Sequence, residues 1–131
     1  MSIVPLSWAW GHSVRAEGAH NILAPGSGTL QFTKVRGKTV LTRAVAASPL
    51  RLLFPRNSGS AAWVYGGTYG GGLLGGDTIA LDVTVHPDAH AFISTQASTK
   101  VYRSGAGARQ RLRAWIDDDS LLVLVPDPIA P

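Results

Sequence analysis

The sequence predicts an all-β protein, and three features carry that expectation. Apolar and polar residues alternate with a period of two over several short stretches; clusters of Gly, Pro and Asp punctuate those stretches at regular intervals. No run of the length a helix needs, about 12 residues, holds a 3.6-residue period. The strands are expected to pair mostly antiparallel, as hairpins, in a sandwich or a stacked-sheet, β-helix-like arrangement.

Taken in order, residues 1–27 carry Gly and Pro without a sustained period and read as a loosely ordered arm, with the β domain occupying residues 28–131. Leu30 and Phe32 share one face of an extended segment while Thr29, Gln31 and Thr33 share the other; Arg36, Gly37 and Lys38 turn the chain, and residues 39–46 complete a hairpin. Pro49 and Pro55 bracket residues 50–54, which are too few for a helix and read as a short buried strand. Residues 62–65 form another apolar patch. Residues 66–76 are so dense in glycine that a loop is expected, because glycine loses most backbone entropy when fixed in a regular element.

Ile79, Leu81, Val83 and Val85 alternate with Thr78, Ala80, Asp82 and Thr84 in the clearest strand of the sequence; residues 86–89 turn, and residues 91–96 return as its partner in a second hairpin. Further on, Arg109, Arg111, Arg113 and Trp115 alternate with Gln110, Leu112, Ala114 and Ile116, so the basic cluster occupies one face of a strand. Asp117, Asp118 and Asp119 turn the chain, and residues 121–125 go back into a core. A strand apolar on both faces must be covered on both. Because the sequence reaches LVPDPIAP directly after this one, the expectation is that it stops inside a larger β domain and exposes apolar surface when isolated.

Composition narrows the function classes. At 131 residues, with 45% hydrophobic and 15% charged residues, the chain has the size and balance of one modest globular domain. No apolar run approaches the roughly 18 to 20 residues of a membrane span. The start MSIVPLSWAWGHSVRAEG lacks the basic and apolar regions of a signal peptide, so a cytoplasmic location without membrane attachment is expected. The absence of cysteine removes disulfides, thiolate metal sites and cysteine nucleophiles together. The net charge of +4 and the arginines at 103–113 raise an alternative, a small basic β domain that binds single-stranded nucleic acid. That chemistry calls for aromatic residues interleaved with the cations. Here Tyr102 and Trp115 stand only at the ends, so a solvated face or an acidic protein partner is the preferred reading and no nucleic acid is expected.

Four motifs fail on context. Gly70, Gly72 and Gly75 satisfy GxGxxG, but a strand rather than a helix follows, so the helix N-terminus that would hold a pyrophosphate is missing. Gly37, Lys38 and Thr39 resemble the end of a P-loop, yet Phe32 stands where its first glycine belongs. His86 and His90 have a helical ligand spacing, but Pro87 and Asp88 make this a turn. No serine shows a His and acid arrangement that would support a hydrolase triad.

Two segments remain unexplained by any of these: GGGLLGGD at residues 70–77 leading into TIALDVTV, and ISTQASTKVYRS at residues 93–104. With GKTVLTRAVAASPLRLLFPR at residues 37–56 and LVPDPIAP at residues 124–131, they resemble, in order and spacing, the N-terminal half of the urease accessory protein UreD (UreH) family. The resemblance runs from about residue 28 to the last residue.

The resemblance implies a non-enzymatic maturation factor: a scaffold or metallochaperone component that helps insert nickel into apo-urease together with UreF-like and UreG-like accessory proteins. No tightly bound cofactor is implied, only transient Ni(II). Gly75, Gly76 and Asp77 of the first block, with Thr95, Lys100 and Tyr102 of the second, are the candidate loop, tunnel or interface residues, and Asp77 is the candidate for a transient metal contact. Weak oxygen ligation suits transfer. For Asp77 a second reading stands beside it, a carboxylate that caps the glycine loop by accepting backbone N–H groups. Lys100 is expected to pair with Asp77 or another acid and fix two strands, and Ser94 and Thr95 to be satisfied hydroxyls near a strand end.

Overall fold

The computed structural model describes residues 23–56, 59–69, 72–95, 99–125 and 129–130. The N-terminal arm as far as residue 22, with His12 and His20, lies outside the described residues, as do Gly70, Gly71, Gln96 and the PDP of LVPDPIAP. The regular elements of the described chain are all strands: β1 (Ser27–Val35), β2 (Lys38–Ala46), β3 (Leu50–Leu53), β4 (Ala62–Thr68), β5 (Thr78–Val85), β6 (His90–Thr95), β7 (Thr99–Lys100), β8 (Arg109–Ile116), β9 (Leu121–Leu124) and β10 (Ile129–Ala130). Among the described residues no helix is long and apolar enough to cross a membrane.

The strands form two four-stranded sheets, β2-β1-β5-β8 and β3-β4-β6-β9, with a short third side where β7 meets β10. The all-β, stacked-sheet expectation holds, and so does the first hairpin. β1 and β2 pair antiparallel through a two-residue turn in which Arg36 (φ 52°) and Gly37 (φ 79°) both have positive φ. That is the signature of the type I′ turn whose twist matches the flanking strands.

The predominance of antiparallel pairing does not hold: among the described residues, five of the seven strand pairings are parallel. The second hairpin is corrected with it. Residues 86–89 do turn the chain, but β5 pairs with β1 and β8 in one sheet, while β6 pairs with β4 and β9 in the other. Alternation fixes which face of a strand is buried and leaves its partner undefined. β5 carries Val83 and Val85 in one sheet, and β6 carries Ala91 and Ile93 in the other. Passing between sheets sets them in one core. The same step recurs one strand further on, from β8 through residues 117–120 to β9, so the chain winds in stacked rungs.

The rungs are tied at their corners. Asp117 N–H donates to Val85 C=O at 3.0 Å and Leu121 N–H to Ala89 C=O at 3.0 Å, while His86 Nδ1 approaches Asp117 Oδ2 at 3.9 Å. Thr39 Oγ1, buried, accepts the His90 N–H at 2.8 Å and pins β2 to the start of β6. Between the sheets lies the core, with Leu30, Phe32, Val64, Val83 and Val85 fully buried. Each such side chain contributes about 1.5–3 kcal/mol relative to exposure.

Two further expectations change. Gly66 and Gly67 are strand residues of β4, not loop, held by pairing of Gly66 with Leu52 and Thr95 on either side. In residues 50–54 only Leu50 is buried; β3 is an edge strand, and Phe54 beyond it is 52% exposed.

Candidate functional site: a seam of stacked loops

The two segments that stood out in the sequence lie against each other. Residues 72–77, which connect β4 to β5, stack on residues 100–109, which lead from β7 into β8. Leu73 N–H donates to Lys100 C=O at 2.8 Å and Tyr102 N–H to Leu73 C=O at 3.0 Å, making a parallel bridge between Leu73 and Val101. Gly76 N–H donates to Gly107 C=O at 2.6 Å, and Arg109 N–H to Asp77 C=O at 2.9 Å, where the seam passes into the β5–β8 ladder. Leu73 anchors the loop by burying its side chain in the core.

Glycine is required here by close approach. A Cβ on Gly72 would stand 2.6 Å from the Lys100 carbonyl oxygen and 3.0 Å from the Tyr102 ring. One on Gly75 would collide with Ser104 Oγ, the oxygen that accepts the Gly107 N–H at 3.1 Å. The glycine-rich block is therefore shaped to receive the second block.

Asp77 closes the loop. Its Oδ2 accepts the Leu74 N–H at 2.7 Å while its own N–H donates to Leu74 C=O at 3.1 Å. This is the capping geometry, in which a turn carboxylate satisfies a backbone donor. Lys100 is exposed, and its contribution to the seam is its backbone carbonyl. The expected ion pair with Asp77 is not formed. His86 pairs instead with Asp117, and Asp82 with Arg113.

Of the six candidate residues, the fold brings Gly75, Gly76, Asp77, Lys100 and Tyr102 to the seam, with Tyr102 50% exposed. Thr95 is half-buried at the end of β6, where it lines a cleft of about 290 Å³ between the two sheets. The cleft is walled by Ile79, Leu81, Ile93 and Leu124, with Gln110 and Arg111 at its polar side. Ile79 and Gln110 sit just past the seam on β5 and β8, so cleft and seam adjoin. Periodicity did not single out the cleft, because its walls come from both sheets and meet only in three dimensions. Among the described residues no cluster of three or more His, Cys, Asp or Glu side chains could hold a metal ion.

The arginine row of β8 is partly neutralised. Arg113 Nε and Nη2 donate to Asp82 Oδ1 and Oδ2 at 2.9 and 3.0 Å, directly across the β5–β8 ladder. This two-bond fork, opposed by desolvation, raises the guanidinium pKa above its ordinary value. The same guanidinium lies 5.4 Å from the centre of the Trp115 ring. A cation and an aromatic ring engaged in this way do not make a platform for bases, which weakens the nucleic-acid alternative.

Comparison with known proteins gives the same direction. Residues 24–131 match the family described as UreD urease accessory protein. The chain is 56% identical over 104 residues to urease accessory protein UreD of Sorangium cellulosum, covering 79% of this chain and 33% of that one. It is 41% identical over 122 residues to urease accessory protein D of Oryza sativa subsp. indica, covering 88% and 40%, and 37% identical over 109 residues to that of Arabidopsis thaliana, covering 79% and 37%. The chain thus spans roughly a third to two-fifths of the length of these relatives. A match over nearly all of the β domain, including both halves of the seam, leads to one conclusion: this chain belongs to the UreD urease accessory protein family.

Proposed function

We propose that the chain supplies the stacked-loop part of a urease maturation scaffold, which acts in the cytoplasm beside UreF-like and UreG-like proteins to help nickel into apo-urease and catalyses no reaction itself. The observation that carries this reading is the seam. The two segments that stand out in the sequence and carry its resemblance to the family are joined to each other by backbone hydrogen bonds, and the inter-sheet cleft opens beside them. Nickel is cargo in this account. A lone carboxylate such as Asp77, already engaged with Leu74, suits a passing contact better than a resident site. Thr95, Gln110 and Arg111 give the cleft a polar side along which a hydrated cation or a partner's side chain is received.

The test uses a full-length UreD relative in which residues equivalent to 24–131 are replaced by this chain. Tagged and co-expressed with apo-urease and the UreF-like protein, it is expected to co-purify with both. A soluble, folded chimera that recovers neither would refute the proposal.

A further inference from the structure

We infer that the corner between the two sheets, where β2, β3 and β4 meet, is a docking groove for an acidic, apolar-anchored segment of a partner protein. The groove has a volume of about 330 Å³ and is lined by Lys38, Val40, Phe54, Pro55, Arg56 and Trp63. Its three large apolar side chains all face solvent: Val40 is 39% exposed, Phe54 52% and Trp63 41%. From Trp63 the apolar surface continues across the outer side of the second sheet, because Trp63, Phe92 and Val123 are direct neighbours in the ladder. The Trp63 and Phe92 rings are 4.8 Å apart and tilted by 40°. Contiguous exposed apolar surface with aromatic and arginine residues at its centre is the composition of an interface core.

Charge selects the partner. Lys38 and Arg56 are exposed at the groove, no acidic residue among the described ones lines it, and none occurs in β3, β4, β6 or β9. The acids of the nearby corners, Asp88 and residues 117–119, belong to turns outside the groove. An incoming segment with carboxylates flanking aromatic or leucine anchors meets apolar surface and two cations at once, whereas a basic segment meets like charge. The whole chain, at +4, steers such a segment in the same sense.

The experiment selects from a library of random 12-residue peptides on the immobilised 131-residue chain at low salt. Enriched peptides are expected to be net acidic with aromatic or leucine anchors. They are expected to bind the Lys38→Glu/Arg56→Glu double variant at least tenfold more weakly, Trp63→Ala similarly, and Arg103→Glu, in a remote loop, unchanged. The charge variants alter exposed residues and keep the β-sheet circular dichroism signal, so their effect is read on a folded chain. Enriched peptides without excess acid, or binding unaffected by these variants, would overturn the inference. So would a dimer of the chain itself that Trp63→Ala converts to monomer, since the occupant would then be a second copy.

Discussion

At the scale of single residues, the seam rests on where side chains are absent as much as on where they are present. Gly72 faces the Lys100 carbonyl with no room for a Cβ, while Gly67, in β4, faces open space. Gly72→Ala is therefore expected to destabilise the fold by about 1–3 kcal/mol, the range for forcing extra volume into a packed site. Gly67→Ala should stay within about 0.5 kcal/mol, the range of substitutions away from special contacts. Urea melts of the two variants check this, and equal losses would remove the close-approach argument. Asp77→Ala removes the acceptor for the Leu74 N–H and is expected to lower stability by about 1 kcal/mol. In a reconstituted urease activation assay it should also lower activation while expression is nearly unchanged. A variant that activates normally would leave Asp77 as a cap alone. Sequence reasoning held both readings of this residue; the hydrogen bond favours the cap and leaves the metal contact as a proposal.

At the scale of elements, what was legible was what is local. The β1–β2 hairpin was readable because two residues of positive φ join its strands. The strand β5 was readable because a half-buried strand writes its two faces into its own sequence, and β8 was readable from the same alternation although most of its residues are exposed. Pairing was not legible. Parallel neighbours are separated along the chain by a whole rung, and the turn at residues 86–89 that carries β5 into the other sheet has the same Pro-Asp composition as a hairpin turn. Nor was the burial of residues 50–54, since Leu50 and Phe54 are both apolar and only position in the sheet makes one core and the other surface. This gives a direct comparison: Phe32, fully buried in β1, should cost about 3–5 kcal/mol on Phe32→Ala. The exposed Phe54 should cost less than about 0.5 kcal/mol on Phe54→Ala. Thermal and urea denaturation measure both, and a large loss at Phe54 would place that residue in a core.

At the scale of the whole molecule, β8 and β9 are the outer strands of their sheets on the same side of the stack. Their apolar residues are open: Ile116 is 46% exposed, Leu121 51% and Leu124 44%. Unpaired strand edges beside exposed apolar side chains favour association. The 131-residue chain is thus expected to bind the dye ANS and to self-associate as its concentration rises, and Ile116→Lys with Leu124→Lys should reduce both. A monodisperse monomer with a cooperative melt and no dye binding would contradict this. The candidate site was legible as two blocks of sequence but not as one place, because only the stacking of rungs brings residues 72–77 onto residues 100–109.

We propose that this seam, carried by residues 24–131, is a working part of urease maturation. The most direct measurement is urease activity and urease-bound nickel in cells whose own UreD is replaced by a relative carrying this chain in the matching segment. With the native chain both should return to near the level given by the unaltered relative, and with Gly72→Ala both should fall together. A chimera that is folded and abundant but restores neither activity nor nickel would contradict the account.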